Sequence, residues 1–113
     1  MTQIFHNPRC GKSRNTLKLL ENKGESVEII EYLKANPSKK QLTEIIDMLG
    51  IAPLELIRKG ESIFKEQYKG KTLTDEQWID AMIENPILIE RPIVIKDGKA
   101  AIGRPPEQVL DIL

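Results

Sequence analysis

The sequence predicts an α/β fold, and three features of its pattern indicate it. The chain opens with a short β-rich segment, Thr2 to His6, and an amphipathic helix is expected after Cys10. Residues 27–32 read VEIIEY, an alternation typical of a second strand. Near the C-terminus, Asp97-Gly98 lies between two short apolar runs, which is a strong signal for a β-hairpin.

The region between the second strand and the hairpin is predicted to be helical. Two of its segments begin with a Ser or Thr that is followed three residues later by a Gln, the spacing of a helix-capping box. The expected pieces are a helix from Ser38 to Gly50, a short helical piece at Pro53–Ile57, loop with irregular helix at residues 61–72 and a helix from Thr74 to Asn85. A last helix is expected to begin at Pro105-Pro106.

The order of these elements is β-α-β, then helices, then a hairpin and a closing helix. That order fits a thioredoxin-like fold with a helical insertion before the C-terminal β-hairpin. With 113 residues, we expect a single domain over residues 1–113. Because 40% of the residues are hydrophobic and only 4% are aromatic, the core is expected to be mostly Ile, Leu and Val.

Composition excludes several classes of protein. Lys+Arg and Asp+Glu are both 17, so the formal net charge is +0, which argues against a nucleic-acid partner and a polybasic membrane-surface role. No apolar run approaches the roughly 20 residues of a membrane span, and the N-terminus shows no signal run. With one Cys and one His, no metal site is expected. A cytoplasmic, reduced protein is therefore predicted.

The single cysteine, Cys10, stands in the connection between the first strand and the helix. A thiol at a helix N-terminus meets free backbone N–H groups and the positive end of the helix dipole, which favour the thiolate. Arg9, Lys12 and Arg14 add positive charge nearby, and Gly11 lets an anion approach the backbone. The alternative is a buried structural cysteine, but the flanks are charged and loop-like.

Counting along the chain excludes three similar motifs. A nucleotide-binding P-loop ending in Gly-Lys-Ser needs a glycine where His6 stands. A phosphatase-type loop needs an arginine where Thr16 stands, and a dithiol motif needs a cysteine where Ser13 stands. His6 itself has two interpretations: an imidazolium that helps to ionise the thiol, or a strand-end histidine satisfied by the backbone.

Three arginines are candidates for binding an oxyanion. Arg58 ends the short helical piece, whereas Arg91 and Arg104 each precede a proline and are expected at the same end of the hairpin. A planar guanidinium matches a tetrahedral oxyanion with two parallel hydrogen bonds. The alternative is that these arginines form weak surface ion pairs.

Four segments of the chain resemble one family. The string HNPRCGKSRNTL is similar to the N-terminal signature of glutaredoxin-coupled arsenate reductases of the thioredoxin-like class. The stretch LIRKG resembles the arginine of that family's helical insert, and ENPILIERPIVI and GRPPEQVLDIL resemble its two later arginine segments. The resemblance runs from Ile4 to Leu113.

This resemblance implies a role for each matching residue. Cys10 would be the nucleophile, with Gly11 and Ser13 beside it, and His6 would help to lower the pKa of the thiol. Pro92 would be the cis proline of thioredoxin-like folds, facing the cysteine. Three arginines would bind the oxyanion: Arg58, Arg91 and Arg104.

The resemblance also implies an activity, the reduction of arsenate to arsenite through a Cys10 thiolate–arsenic adduct. Glutathione, as co-substrate, and glutaredoxin would resolve the adduct. External thiols are required because the reduction needs two electrons and one cysteine cannot form a disulfide with itself. No bound cofactor and no metal are implied.

Two other functions remain open. One is a monothiol glutathione-linked redox enzyme, which would not need all three arginines. The other is a non-enzymatic redox-sensing regulator that binds RNA polymerase. Such regulators usually carry a Cys-x-x-Cys pair, and Ser13 occupies the position of the second cysteine.

Overall fold

A computed structural model describes residues 2–113 of the chain, which divide into two units. The first unit combines the chain up to Ala35 with Arg91–Leu113, and the second is Asn36–Glu90. The expectation of a single domain over residues 1–113 stays a prediction. No helix within residues 2–113 has the length and apolar character needed to span a membrane.

The first unit is a four-stranded sheet with helices. Its elements are β1 (Thr2–Phe5), α1 (Gly11–Asn22), β2 (Val27–Ile30), β3 (Ile93–Lys96), β4 (Lys99–Ile102) and a closing 3-10 helix (Pro106–Ile112). The strand order is β2-β1-β3-β4; β1 runs parallel to β2 and antiparallel to β3, and β4 is antiparallel to β3. The predicted β-α-β opening and C-terminal hairpin are confirmed.

The register of the sheet brings three strand ends to one edge. Phe5, the last residue of β1, pairs with Ile93, the first residue of β3. Ile93 also pairs with Ile102, the last residue of β4. The loop after β1, the segment before β3 and the segment after β4 therefore leave the sheet at the same edge.

The hairpin between β3 and β4 follows from its turn residues. Asp97 and Gly98 have φ values of 50° and 76°, so both central residues adopt the left-handed conformation of a two-residue I′ turn. Lys96 and Lys99 pair directly across this turn. The turn sets the register that aligns Ile93 with Ile102.

One face of the sheet carries the aliphatic core of the first unit. Ile4 of β1 and Val94 of β3 pair across the sheet and have no exposed surface. Leu20 of α1 and Val109 of the closing 3-10 helix join the same buried cluster. Each such side chain contributes about 1.5–3 kcal/mol on burial, so this cluster holds α1 and the closing 3-10 helix on the sheet.

The second unit is helical, as predicted. Its elements are α2 (Lys39–Leu49), a 3-10 helix (Pro53–Leu56), α3 (Ser62–Gln67), α4 (Asp75–Glu84) and a 3-10 helix (Pro86–Leu88). Ser38 caps α2 by accepting a hydrogen bond from the Gln41 backbone, and Thr74 and Gln77 form a complete capping box at α4. Phe64 stacks on both Tyr68 and Trp78 in this unit, and the rings of Tyr68 and Trp78 are tilted against each other.

The structure differs from the sequence prediction at several element ends. The strand β2 ends at Ile30 rather than at Tyr32, since Tyr32 lies in a turn and its buried ring stacks on Phe5 at 5.9 Å. The segment predicted as loop with irregular helix contains the short helix α3, in agreement with the prediction. The closing helix is of the 3-10 type.

Candidate active site

Cys10 is the N-cap residue of α1. Its backbone is extended, with φ −94° and ψ 123°, and its carbonyl accepts the first helical hydrogen bond, from the Arg14 N–H at 3.0 Å. Hydrogen bonds to Asn7 close the loop between β1 and Cys10. The Asn7 carbonyl accepts a hydrogen bond from the Cys10 N–H at 3.0 Å, and its side-chain oxygen accepts one from the Arg9 N–H at 3.0 Å. The half-buried sulfur therefore lies at the helix N-terminus, as predicted.

The surroundings of the sulfur lower the pKa of Cys10. Burial is the largest single influence and raises the pKa, because it disfavours the charged thiolate. It is outweighed by hydrogen bonds from the Ser13 and Lys12 backbone N–H groups and by the hydrogen bond and charge of Arg91. The lowered pKa of Cys10 agrees with the activated thiol that the sequence predicts. Arg91, which is remote in sequence, is the cation whose charge and hydrogen bond lower this pKa.

Two of the three predicted arginines lie at the thiol. The Arg104 guanidinium nitrogen Nη2 is 3.6 Å from the Cys10 Sγ, and Arg104 Nε donates to the Arg91 carbonyl at 2.8 Å. Arg91 precedes β3 and Arg104 follows β4, so the shared sheet edge brings both to the loop after β1. Two half-buried guanidinium groups and two backbone N–H groups therefore meet at one sulfur. Such an arrangement is suited to a thiolate and to an oxyanion bound beside it.

The peptide bond between Arg91 and Pro92 is cis, which confirms the prediction made from the family resemblance. The bond between Arg104 and Pro105 is also cis, and this one was not predicted. The only signal for it in the sequence is a second Arg-Pro pair.

His6 lies in a buried hydrogen-bond network rather than against the sulfur. Its Nδ1 is 2.7 Å from the Ser13 hydroxyl oxygen, which also accepts a hydrogen bond from the Asn7 N–H at 3.1 Å. The hydroxyl proton is available to donate to Nδ1, which is the arrangement that a neutral imidazole protonated at Nε2 makes.

The charge environment of His6 supports the neutral form. Burial lowers the pKa of His6 below its ordinary 6.5; the nearby Glu31 raises it, and Arg14 lowers it further. His6 is therefore neutral at pH 7, which does not support an imidazolium that assists ionisation of the thiol. Its supporting role at the site stays a prediction.

Ser13, a predicted supporting residue, links His6 to the loop before Cys10. It is fully buried, its hydroxyl joins His6 to the Asn7 backbone, and its own N–H donates to the thiolate. The sequence pattern does not predict Asn7 as a site residue, because Asn7-Pro8 indicates only the end of a strand. An Asn that begins a turn often bonds the backbone two residues later, and that was the available signal.

Arg58 belongs to the second unit, where it forms ion pairs. Its Nη1 donates to Glu90 Oε1 at 2.8 Å, and its Nε lies 3.5 Å from Glu61 Oε1. Its backbone N–H donates to the Leu88 carbonyl at 2.7 Å. Oxyanion binding by Arg58 stays a prediction.

Gly11 begins α1 and is exposed, so the backbone of the first helical turn is open to an approaching anion. A side chain there would meet only the Arg14 guanidinium, at 3.8 Å. Within residues 2–113, no three His, Cys, Asp or Glu side chains come together in a way that would hold a metal ion.

The chain is similar to known proteins along almost its whole length. Residues 5–112 match the profile of the ArsC family. The chain is 46% identical to the uncharacterized protein YfgD of Escherichia coli (strain K12), over 98% of this chain and 95% of that protein. It is 40% identical to an arsenate reductase of Neisseria meningitidis serogroup A, over 98% of this chain and 97% of that protein.

A solved structure supports the same assignment. The arsenate reductase from Vibrio cholerae superposes with a TM-score of 0.95 at 46% identity, covering 99% of this chain and 97% of that one. This likeness confirms the predicted thioredoxin-like fold with its helical insertion. Since the family profile covers nearly the whole chain and the relatives match it end to end, the chain belongs to the ArsC family.

Proposed function

We propose that the protein reduces arsenate to arsenite, with Cys10 as the nucleophile and with glutathione and glutaredoxin as the source of electrons. The observation that carries the proposal is the contact of one cysteine sulfur with the N-terminus of α1, Arg91 and Arg104. Membership of the ArsC family and the names of the relatives from Neisseria and Vibrio support arsenate as the substrate.

Arsenate would bind as an anion beside the thiolate. The guanidinium groups of Arg91 and Arg104 supply planar pairs of donors that match two oxygens of a tetrahedral oxyanion. The exposed first turn of α1 adds backbone N–H groups and the positive end of its dipole. These groups also stabilise the negative charge that develops on the arsenate oxygens during attack.

The first step forms a sulfur–arsenic bond. The Cys10 thiolate attacks arsenic and expels one oxygen as hydroxide, which leaves arsenic in the +5 state bound to the enzyme. The lowered pKa of Cys10 provides the thiolate without a separate general base.

The second stage supplies the two electrons from outside the protein. The glutathione sulfur displaces another oxygen on arsenic, and the glutaredoxin thiolate then attacks that glutathione sulfur. A disulfide forms between glutaredoxin and glutathione, and the electron pair of the broken sulfur–arsenic bond stays on arsenic, reducing it to +3. Water then releases arsenite and restores Cys10.

The proposal includes no bound cofactor and places the reaction in the cytoplasm. Cys10 is the chain's single thiol and must return to the reduced state after each turnover. A reducing compartment with a glutathione pool meets that requirement.

The test is an assay of arsenate reduction coupled to glutathione and glutaredoxin. Cys10→Ser should be inactive. Arg91→Lys and Arg104→Lys keep the charge but lose the bidentate fork, and each should lower kcat/KM for arsenate by roughly tenfold to a hundredfold, the equivalent of about 1.5–3 kcal/mol. Sulfate and phosphate should compete with arsenate, because both are tetrahedral oxyanions.

Arg14→Lys is the matched control. Arg14 lies in α1, is exposed and donates to the Pro8 carbonyl at 2.9 Å. The Arg14→Lys protein should keep wild-type arsenate turnover. If both arginine variants keep full activity while Cys10→Ser has none, the cysteine acts but Arg91 and Arg104 are not the ligands of arsenate. A wild-type protein without arsenate turnover would instead make a monothiol glutathione-linked redox enzyme the better conclusion.

A further inference from the structure

Gly103 follows β4 and lies in a position where no side chain fits. It is buried, and its N–H donates to the Pro92 carbonyl at 2.9 Å. A Cβ at this position would stand 2.5 Å from the Thr16 hydroxyl oxygen and 2.8 Å from Pro92 Cγ. Gly103 is not among the glycines with positive φ, so space rather than backbone conformation requires glycine here.

Neither neighbour can give way easily. Thr16 is fully buried in α1, and its hydroxyl donates to the Lys12 carbonyl at 2.8 Å, which holds its rotamer. Pro92 is a rigid ring, also buried, at the start of the segment that enters β3. Two side chains with little conformational freedom, Thr16 and Pro92, therefore pack directly against the backbone of Gly103.

The residues on both sides of this contact reach the thiol. Arg104 directly follows Gly103 and places its Nη2 3.6 Å from the Cys10 Sγ. Arg91 directly precedes Pro92 and donates a hydrogen bond to the sulfur. The Thr16 hydroxyl donates a hydrogen bond to the Lys12 carbonyl, and the Lys12 N–H donates to the sulfur.

We propose that Gly103 is a positioning residue: its missing side chain lets the end of β4 pack on Thr16 and Pro92 closely enough to hold Arg104 beside the Cys10 sulfur. An alanine at this position needs about 0.9 Å more separation from Thr16 to reach the 3.4 Å of ordinary contact. This extra separation can come from a shift of the end of β4, which moves Arg104 away from the sulfur. It can also come from a rotation of the Thr16 side chain, which breaks its hydrogen bond to the Lys12 carbonyl and loosens the first turn of α1. Either movement removes a partner from the thiolate.

The experiment compares Gly103→Ala with the wild-type protein by two measurements. The first is the pH dependence of Cys10 alkylation by iodoacetamide, which reports the pKa of the thiol without arsenate. We expect that pKa to rise. The second, which rests on the proposed function, is kcat/KM for arsenate, expected to fall by about tenfold or more because displacements near 1 Å cost up to about a hundredfold in rate.

Two further variants separate positioning from general damage. Gly60→Ala makes the same substitution where nothing lies within 4 Å and φ is not positive, and it should match the wild type in both measurements. The double variant Gly103→Ala with Thr16→Ala removes both threonine atoms that the new methyl group would meet. It should recover part of the lost reactivity and lie closer to the wild-type thiol pKa than Gly103→Ala does.

Circular dichroism and thermal unfolding accompany every variant. If Gly103→Ala does not fold, the test depends on the double variant. A folded double variant with a near-wild-type thiol pKa supports the close packing of Gly103 on Thr16 as the reason for the effect. A wild-type thiol pKa in folded Gly103→Ala, or a double variant no better than Gly103→Ala, overturns the proposal. A wild-type protein without arsenate turnover would refute the proposed function. The alkylation measurement would still test the positioning role of Gly103, because it needs no arsenate.

Discussion

At the scale of single residues, the reactivity of Cys10 depends on groups from two sources. The Ser13 and Lys12 N–H groups are local and follow from the start of a helix directly after the cysteine. Arg91 comes from the segment before β3 and reaches the sulfur only because the strands are paired as they are. These favourable groups must outweigh the burial that raises the pKa of the thiol.

The first prediction concerns ionisation of this thiol. Since its pKa is lowered from the ordinary 9.0, the rate of alkylation should reach its half-maximum at a pH below that value. Arg91→Gln removes a charge and its hydrogen bond, so the half-maximum should move to higher pH. Arg9→Gln is the matched control, since Arg9 neighbours Cys10 in sequence but is exposed, and its shift should be smaller. Equal shifts would mean that general positive charge, rather than the Arg91 contact, activates the thiol.

The second prediction concerns His6. Its folded-state pKa is lowered, chiefly by burial, so the unfolded chain binds the proton more readily. The stability contributed by neutral His6 is complete above about pH 6.5 and is lost as the pH falls through the folded-state pKa. Urea unfolding should show this loss, and His6→Gln should lessen it relative to the wild type. An identical pH dependence in both proteins would contradict the assigned neutral imidazole.

At the scale of elements, the ends of the helices and the hairpin follow from short-range chemistry. Ser38 and Thr74 each accept a hydrogen bond from the backbone three residues later. Asp97-Gly98 forms the turn expected of that dipeptide. The less regular pieces carry weaker signals: α3 has no side-chain cap, and the closing 3-10 helix has only its Pro105-Pro106 start. Their form depends on side chains such as Phe64 and Val109 that are buried by packing.

The third prediction tests the capping box of α4. Thr74→Ala removes the acceptor for the Gln77 N–H, at 3.2 Å, and should lower the free energy of unfolding by about 1 kcal/mol. Thr72→Ala is the matched control, because Thr72 is exposed and precedes the helix. Chemical denaturation of both variants gives the comparison. A Thr74→Ala protein as stable as Thr72→Ala would show that packing alone determines where α4 begins.

At the scale of the whole molecule, the predicted oxyanion ligands come from three segments of the chain. Arg91 and Arg104 flank the hairpin in the first unit, whereas Arg58 lies in the second unit between Glu61 and Glu90. The two carboxylates hold the Arg58 side chain in one orientation, with 23% of it exposed. An arginine fixed in this way loses less side-chain entropy when it binds an anion.

The fourth prediction tests the role of Arg58. Arg58→Lys should lower arsenate turnover, since lysine lacks the bidentate fork, and should leave the alkylation profile of Cys10 unchanged. Lys59→Arg is the control, because Lys59 is the exposed neighbour of Arg58. A fully active Arg58→Lys would remove Arg58 from the predicted substrate ligands and leave it as an ion-paired residue of the second unit.

The sequence by itself determined the order of the elements, the capped starts of α2 and α4, the hairpin turn and the place of Cys10 at a helix N-terminus, because each depends on residues a few positions apart. It also offered three arginines as candidates for an oxyanion, and the family resemblance added their substrate role and the cis bond at Pro92. Only the tertiary structure decided that Arg91, rather than the neighbouring Arg9, acts on the sulfur and that His6 is neutral and bonded to Ser13. It alone also showed that Gly103 is required by the space beside Thr16. Strand register, burial and close packing join residues that are far apart in the chain, and no short-range pattern in the sequence records those distances.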